Sequence, residues 1–169
     1  MHMSAHDERT ARAYHEAAHL AIACHYNLPV GPITMHAAGT ETPHAHPAIP
    51  LESAIHGRAD ASFETLNVIT CLVAGAIAEE RYTGGQLNVD VASADHEQAW
   101  RLAIQVADTD RAAEALMNWL TIRAEQDVNH CWNEITAVAA LLMETGTVTP
   151  EQARSTGREA DRRRVARPE

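Results

Sequence analysis

Between Val68 and Ala78 the chain reads Val-Ile-Thr-Cys-Leu-Val-Ala-Gly-Ala-Ile-Ala, a run with no charged side chain. Phe63, Leu66, Ile69, Val73, Ala76 and Ile77 recur at helical spacing through it, so the run predicts a helix that is apolar nearly all round. Such a helix has no face to offer water and must be enclosed by the rest of the chain. The run is too short to span a bilayer, which needs about 20 apolar residues. It ends in Ala78-Glu79-Glu80-Arg81-Tyr82, and Gly84-Gly85 turns the chain away.

The segments that would enclose it are amphipathic. Ser4 or Asp7 can cap a first helix that runs to about Asn27, where Leu28-Pro29 and Gly31-Pro32 end it. Ala11, Tyr14, Ala18, Ala21 and Ile22 form its apolar stripe, and the small residues at 17, 18 and 21 allow another element to pack close. Ile33, Met35 and Ala37 alternate with polar residues and predict one short strand. From Gly39 to Ala61 no period survives, which predicts a long loop, and His44, His46 and His56 within it read as solvated. Ser93 is placed to cap a helix beginning at Ala94, with Trp100, Ala103, Ile104 and Ala107 inward. Thr109-Asp110 starts another, with Ala113, Leu116, Trp119, Leu120 and Arg123 along one side. A further stripe, Val128, Trp132, Ile135, Val138, Ala139 and Leu142, follows directly or after a break near Asn129, and Gly146 stops it. Thr149-Pro150-Glu151-Gln152 is a helix start, with a capping hydroxyl, proline in the first turn and an acid near the positive end. The expected fold is mainly α with a small β element, one domain over 1–157 and a disordered Arg-rich tail over 158–169.

Charge narrows the function. Thirteen basic and twenty-three acidic residues give a net charge of −10, which disfavours nucleic acid or an anionic membrane as partner. Every basic residue is arginine, so a Walker A phosphate loop and lysine Schiff-base chemistry are both excluded. Cys24, Cys71 and Cys131 form no C-x-x-C pair and read as reduced, small apolar residues. With no apolar signal-peptide core in residues 1–12, the expected location is the cytoplasm.

Chemistry concentrates in the first helix. His15 and His19 are four positions apart and leave one helix face a turn apart, so both imidazoles can reach one metal ion. Glu16 lies beside the first and can serve as general base toward an activated water, the H-E-x-x-H arrangement of zinc hydrolases. A catalytic zinc needs a third protein ligand and one open position. No third histidine stands at the metzincin spacing, so the candidates are downstream carboxylates: Glu79 or Glu80 on the apolar helix, or Asp95 at the start of a later one.

Four blocks in order resemble the protease domain of the FtsH-type AAA zinc metalloproteases. His15-Glu16-Ala17-Ala18-His19 is similar to the family's H-E-A-G-H, and Pro29-Val30-Gly31-Pro32-Ile33 to its Pro-Val-x-x-Ile strand. Val73-Ala74-Gly75-Ala76-Ile77-Ala78-Glu79-Glu80 resembles L-x-G-R-A-A-E-E, and Val91-Ala92-Ser93-Ala94-Asp95 resembles the segment G-A-S-N-D. Alanine replaces the family's glycine at 18 and its asparagine at 94. The resemblance implies a helical zinc metallopeptidase in which His15, His19 and Asp95 bind Zn2+ and Glu16 is the base. Glu79 or Glu80 would then support a ligand imidazole or act as the alternative ligand. It also implies peptide or unfolded-protein substrates bound along an edge strand near Ile33 to Ala37. A ring of copies or a separate ATPase would be the partner, since the sequence carries no AAA ATPase or membrane helices of its own. The alternative is a catalytically silent, protease-like module that binds metal or a partner.

Overall fold

The computed structural model describes residues 5–35, 59–85 and 89–165. Among them are six helices and a two-stranded antiparallel sheet: α1 (Ala5–His25), β1 (Ile33–Thr34), α2 (Ala59–Thr83), α3 (Val89–Ala107), α4 (Asp110–His130), α5 (Trp132–Thr145), β2 (Thr147–Val148) and α6 (Pro150–Val165). The mainly α expectation with a small β element holds.

Helices α1 and α2 form the centre. On one side α1 packs against α5 and α6, and on the other α2 packs against α3 and α4. The apolar run is enclosed as its composition requires: Asn67 through Gly75 are buried on every face of α2. Small residues are buried along both helices, with Ala13, Ala17, Ala18 and Ala74 all at 0 % exposure, and the Cys71 thiol of α2 donates to the His19 carbonyl of α1 at 3.2 Å. Leu20, Ile22, Ile69, Leu120, Ile135 and Leu142 fill the core around that contact, each worth about 1.5–3 kcal/mol of apolar burial.

Helix ends follow local chemistry. Asn27 adopts a left-handed φ of 54°, and the Leu28 and Asn27 N–H groups donate to the carbonyls of Ala23 and Cys24 at 2.8 and 3.1 Å. This closes α1 with a Schellman motif, and buried Leu28 supplies its apolar contact. Thr109 caps α4 by accepting from the Ala112 N–H at 3.3 Å. Gly146, at φ 76°, ends α5. Thr149 and Gln152 then exchange reciprocal bonds at 2.8 and 3.3 Å, a capping box that starts α6.

The sheet pairs Ile33 with Val148 and Thr34 with Thr147, and the Met35 N–H donates to the Gly146 carbonyl at 2.8 Å. Ile33 and Val148 are both fully buried, so this short pairing ties the chain after α1 to the α5–α6 connection. The sequence offers one strand here because its partner, only two residues long, has no period to read.

Several expectations are corrected. The helix placed at Ala94 begins at Val89, so Ser93 lies inside α3 rather than at its cap. The break expected near Asn129 falls at Cys131. Phe63, Trp119 and Ile104, assigned inward, are exposed at 63, 51 and 37 %. The Arg123 guanidinium lies over the Phe63, Trp119 and Tyr26 rings, which gives two of these aromatics a cation partner at the surface. The tail expected to be disordered from Arg158 is helical through Val165. Gly157 is buried against the Glu134 side chain of α5, and Glu159 pairs with Arg163 one turn on along the exposed face. The loop expected over Gly39–Ala61 gives way to α2 at Ala59, and residues 39–58, with His44, His46 and His56, lie outside the described residues. No helix among the described residues is long and apolar enough to cross a membrane.

Candidate metal centre

His15 and His19 project from the middle of α1, at 1 and 2 % exposure, toward α2 and α3. Asp95, also at 2 %, reaches them from α3. Its Oδ2 lies 2.9 Å from His15 Nε2 and 3.2 Å from His19 Nε2. The later start of α3 matters for this residue, since Asp95 sits in the second turn instead of at the helix end. It is therefore further from the positive dipole, which would weaken it as a donor.

The far side of each ring is fixed as well. His19 Nδ1 lies 2.8 Å from the carbonyl oxygen of Cys71, and the Cys71 thiol returns a bond to the His19 carbonyl at 3.2 Å. His15 Nδ1 lies 3.0 Å from Glu79 Oε2. A carbonyl can only accept, and an ionised carboxylate can only accept, so both Nδ1 atoms carry hydrogen and donate. In a neutral ring the lone pair is then on Nε2. Both Nε2 atoms face the same Asp95 oxygen, lone pair against lone pair, and a neutral carboxyl with its single proton could relieve only one of the two contacts. Either each ring takes a second proton, or one cation sits among the three atoms.

Without a cation the rings respond as the geometry requires. Burial pulls the His15 pKa down, but its hydrogen bonds to Asp95 and Glu79 outweigh this and leave it above the ordinary 6.5. Burial likewise opposes protonation of His19, and Asp95 overcomes it by hydrogen bond and charge, holding the ring well above 6.5.

Two of the three edges of the donor set match those of a tetrahedral ion. Three donor atoms, one each from His15, His19 and Asp95, lie within 4.8 Å of one another. Arms of about 2.0–2.1 Å to nitrogen and oxygen give a tetrahedral edge of about 3.3 Å, close to the 2.9 and 3.2 Å between Asp95 and the imidazoles. Two imidazoles and one carboxylate suit zinc and its first-row neighbours better than magnesium or calcium, which favour oxygen.

The structure thus brings His15, His19 and Asp95 together, with Glu79 holding His15 from behind. Glu16, at 7 % exposure, is buried beside them, and its charge contributes to raising His15. Glu80 is exposed and takes no part. Two contributors are not apparent from the sequence reading. The Cys71 carbonyl is a backbone group that no residue type announces. Gly75 lies against both rings: a β-carbon there would stand 2.5 Å from His19 Nε2 and 2.7 Å from His15 Nε2. A lone glycine inside an otherwise apolar helix is the available signal.

Comparison with known proteins finds no family model that matches the chain and no curated protein that matches it. The geometry of the site therefore carries the functional reading.

Proposed function

We propose that this chain is a zinc-dependent metallopeptidase that hydrolyses peptide bonds in peptides or unfolded segments, as its resemblance to FtsH-type protease domains implies. One observation carries the reading: His15 Nε2, His19 Nε2 and Asp95 Oδ2 converge from two helices while Glu16 is buried next to the first of them. His15, His19 and Asp95 would hold the ion. When bound, zinc supplies a Lewis acid that polarises the scissile carbonyl and brings the pKa of a water toward neutrality. Glu16 takes the proton from the attacking water and passes it to the leaving amine. Glu79 and the Cys71 carbonyl keep both imidazoles in the tautomer whose Nε2 faces the ion. Among the described residues β1 pairs with β2 alone, and the proposed peptide would add to the β1 side of this sheet as a further strand.

Glu16→Gln tests the mechanism. The variant keeps the shape and volume of the side chain and loses its basicity. It should retain zinc at the wild-type level while cleavage of an unfolded protein substrate falls by at least about 100-fold, the scale of general-base catalysis. Cleavage at the wild-type rate would rule out Glu16 as the base. Metal retained by both forms with no cleavage by either would leave a metal-binding, protease-like module.

A further inference from the structure

Gly75 stands near the middle of α2, within its most buried stretch. Its backbone is not among the glycines with positive φ, which are Gly84, Gly85 and Gly146, so conformation does not explain a residue that weakens a helix relative to alanine. Its surroundings do. The three atoms nearest to a β-carbon at this position are His19 Nε2, His15 Nε2 and His19 Cε1, at 2.5, 2.7 and 2.7 Å. Carbon normally approaches such atoms to about 3.5 Å, so a methyl group here would intrude by nearly an ångström on both rings at once. Neither ring is free to give way. Swinging His19 breaks its bond to the Cys71 carbonyl, and swinging His15 breaks its bond to Glu79.

We infer that Gly75 is a positioning residue for the metal site: the bare backbone of α2 sets the orientation of both imidazoles toward Asp95. Each ring is then held at Nδ1 by a hydrogen-bond acceptor, and its Nε2 faces Asp95 through space that a side chain at position 75 would fill. The inference rests on the metallopeptidase reading and concerns how the ligand set is arranged before the ion arrives. It makes an unusual demand on α2, since alanine, the best helix former, is the wrong residue at one position of a buried helix.

The test compares wild type, Gly75→Ala, His15→Ala/His19→Ala and the triple variant carrying all three substitutions. Zinc content, cobalt(II) titration followed by the visible spectrum, helicity and Tm are measured for each. Gly75→Ala should remain helical, lose at least about 100-fold in metal affinity, beyond the usual effect of a residue that only orients a ligand, and lose the wild-type cobalt spectrum. Its Tm should fall by several degrees. In the background lacking His15 and His19 the same substitution should raise Tm, because the clash is gone and only the gain in helix propensity remains. Wild-type affinity and an unchanged cobalt spectrum in Gly75→Ala would overturn the inference and leave the proposed function standing. So would a loss of Tm of equal size in both backgrounds, which would assign the glycine to helix packing alone. A wild type that binds neither zinc nor cobalt would remove the proposed function and this role together.

Discussion

The molecule solves the problem of buried charge twice, in opposite ways. Where α1, α2 and α3 meet, Asp95 and Glu79 are almost fully buried against two imidazoles, and every ring nitrogen faces an acceptor. Where α1, α5 and α6 meet, Glu134 is half-buried beside Asp161 and opens onto a cavity of about 210 Å3 lined also by Cys24, His25, Arg154 and Arg158. In the second cluster burial and the neighbouring Asp161 carboxyl raise the Glu134 pKa, so the folded chain holds that proton more tightly. In the first the acceptors outnumber the protons that neutral rings can offer. The difference separates a pair that titrates from a set of donors that fits a cation.

On that distinction, the largest effect of a single substitution belongs to Asp95. Asp95→Ala removes the oxygen shared by both imidazoles. Zinc content should fall from about one ion per chain to near zero, since a catalytic site of this kind has three protein ligands. The metal-free form should also lose about 3–5 kcal/mol, the cost of leaving buried charged partners without their counter-ion. Metal analysis and chemical unfolding check the two parts separately, and retention of zinc would break the comparison. Glu79→Ala should act less strongly. It leaves the three donors in place and frees His15 to rotate, so zinc affinity should drop about 10–100-fold by competition with a chelating indicator. An unchanged affinity would mean that packing alone orients the His15 ring.

Much of this arrangement is legible in the sequence. The run from Val68 to Ala78 demands enclosure, and α2 is enclosed. The spacing of His15 and His19 requires one face of a helix, and the need for a third, carboxylate ligand leaves Asp95 among few candidates. What cannot be read has physical reasons. Amphipathic stripes place apolar residues on a face without saying where that face runs out, so Phe63, Ile104 and Trp119 read as inward yet lie at the rim of their helices. A helix whose close contact with α5 is a glycine against Glu134 has no apolar signature, so the stretch from Arg158 reads as disordered, yet α6 runs through Val165. Glu79 and Glu80 are adjacent in sequence, and only the rotation of α2 about its axis decides which one meets His15.

The α5–α6 end should be insensitive to metal, and Thr149 tests that independence. Thr149→Ala removes the hydroxyl that accepts the Gln152 N–H, and the loss of an N-cap costs about 1 kcal/mol, or roughly 2–4 °C in Tm for a chain of this size. Zinc affinity should not change. A coupled loss of metal would join two regions that the comparison keeps apart.

The smallest effect is the pH response of Glu134. Burial and the adjacent Asp161 carboxyl push its pKa above the ordinary 4.5, against a weaker downward pull from His130. The folded chain therefore binds this proton more tightly than the unfolded chain does, so stability rises where the group is protonated. The contribution is complete below about pH 4.5 and is lost as pH rises through the elevated value. In Glu134→Gln the amide has no proton to lose, so the variant should lack this loss. The difference between the two chains should be under about 1 kcal/mol, because the pair is partly solvated and its charges are screened. Unfolding in urea at a series of pH values from about 4 upward reads it as a gap that widens as pH rises in favour of the variant. A gap that is constant with pH would show that folding leaves the Glu134 proton affinity unchanged, and the contrast between the two clusters would then rest on geometry alone.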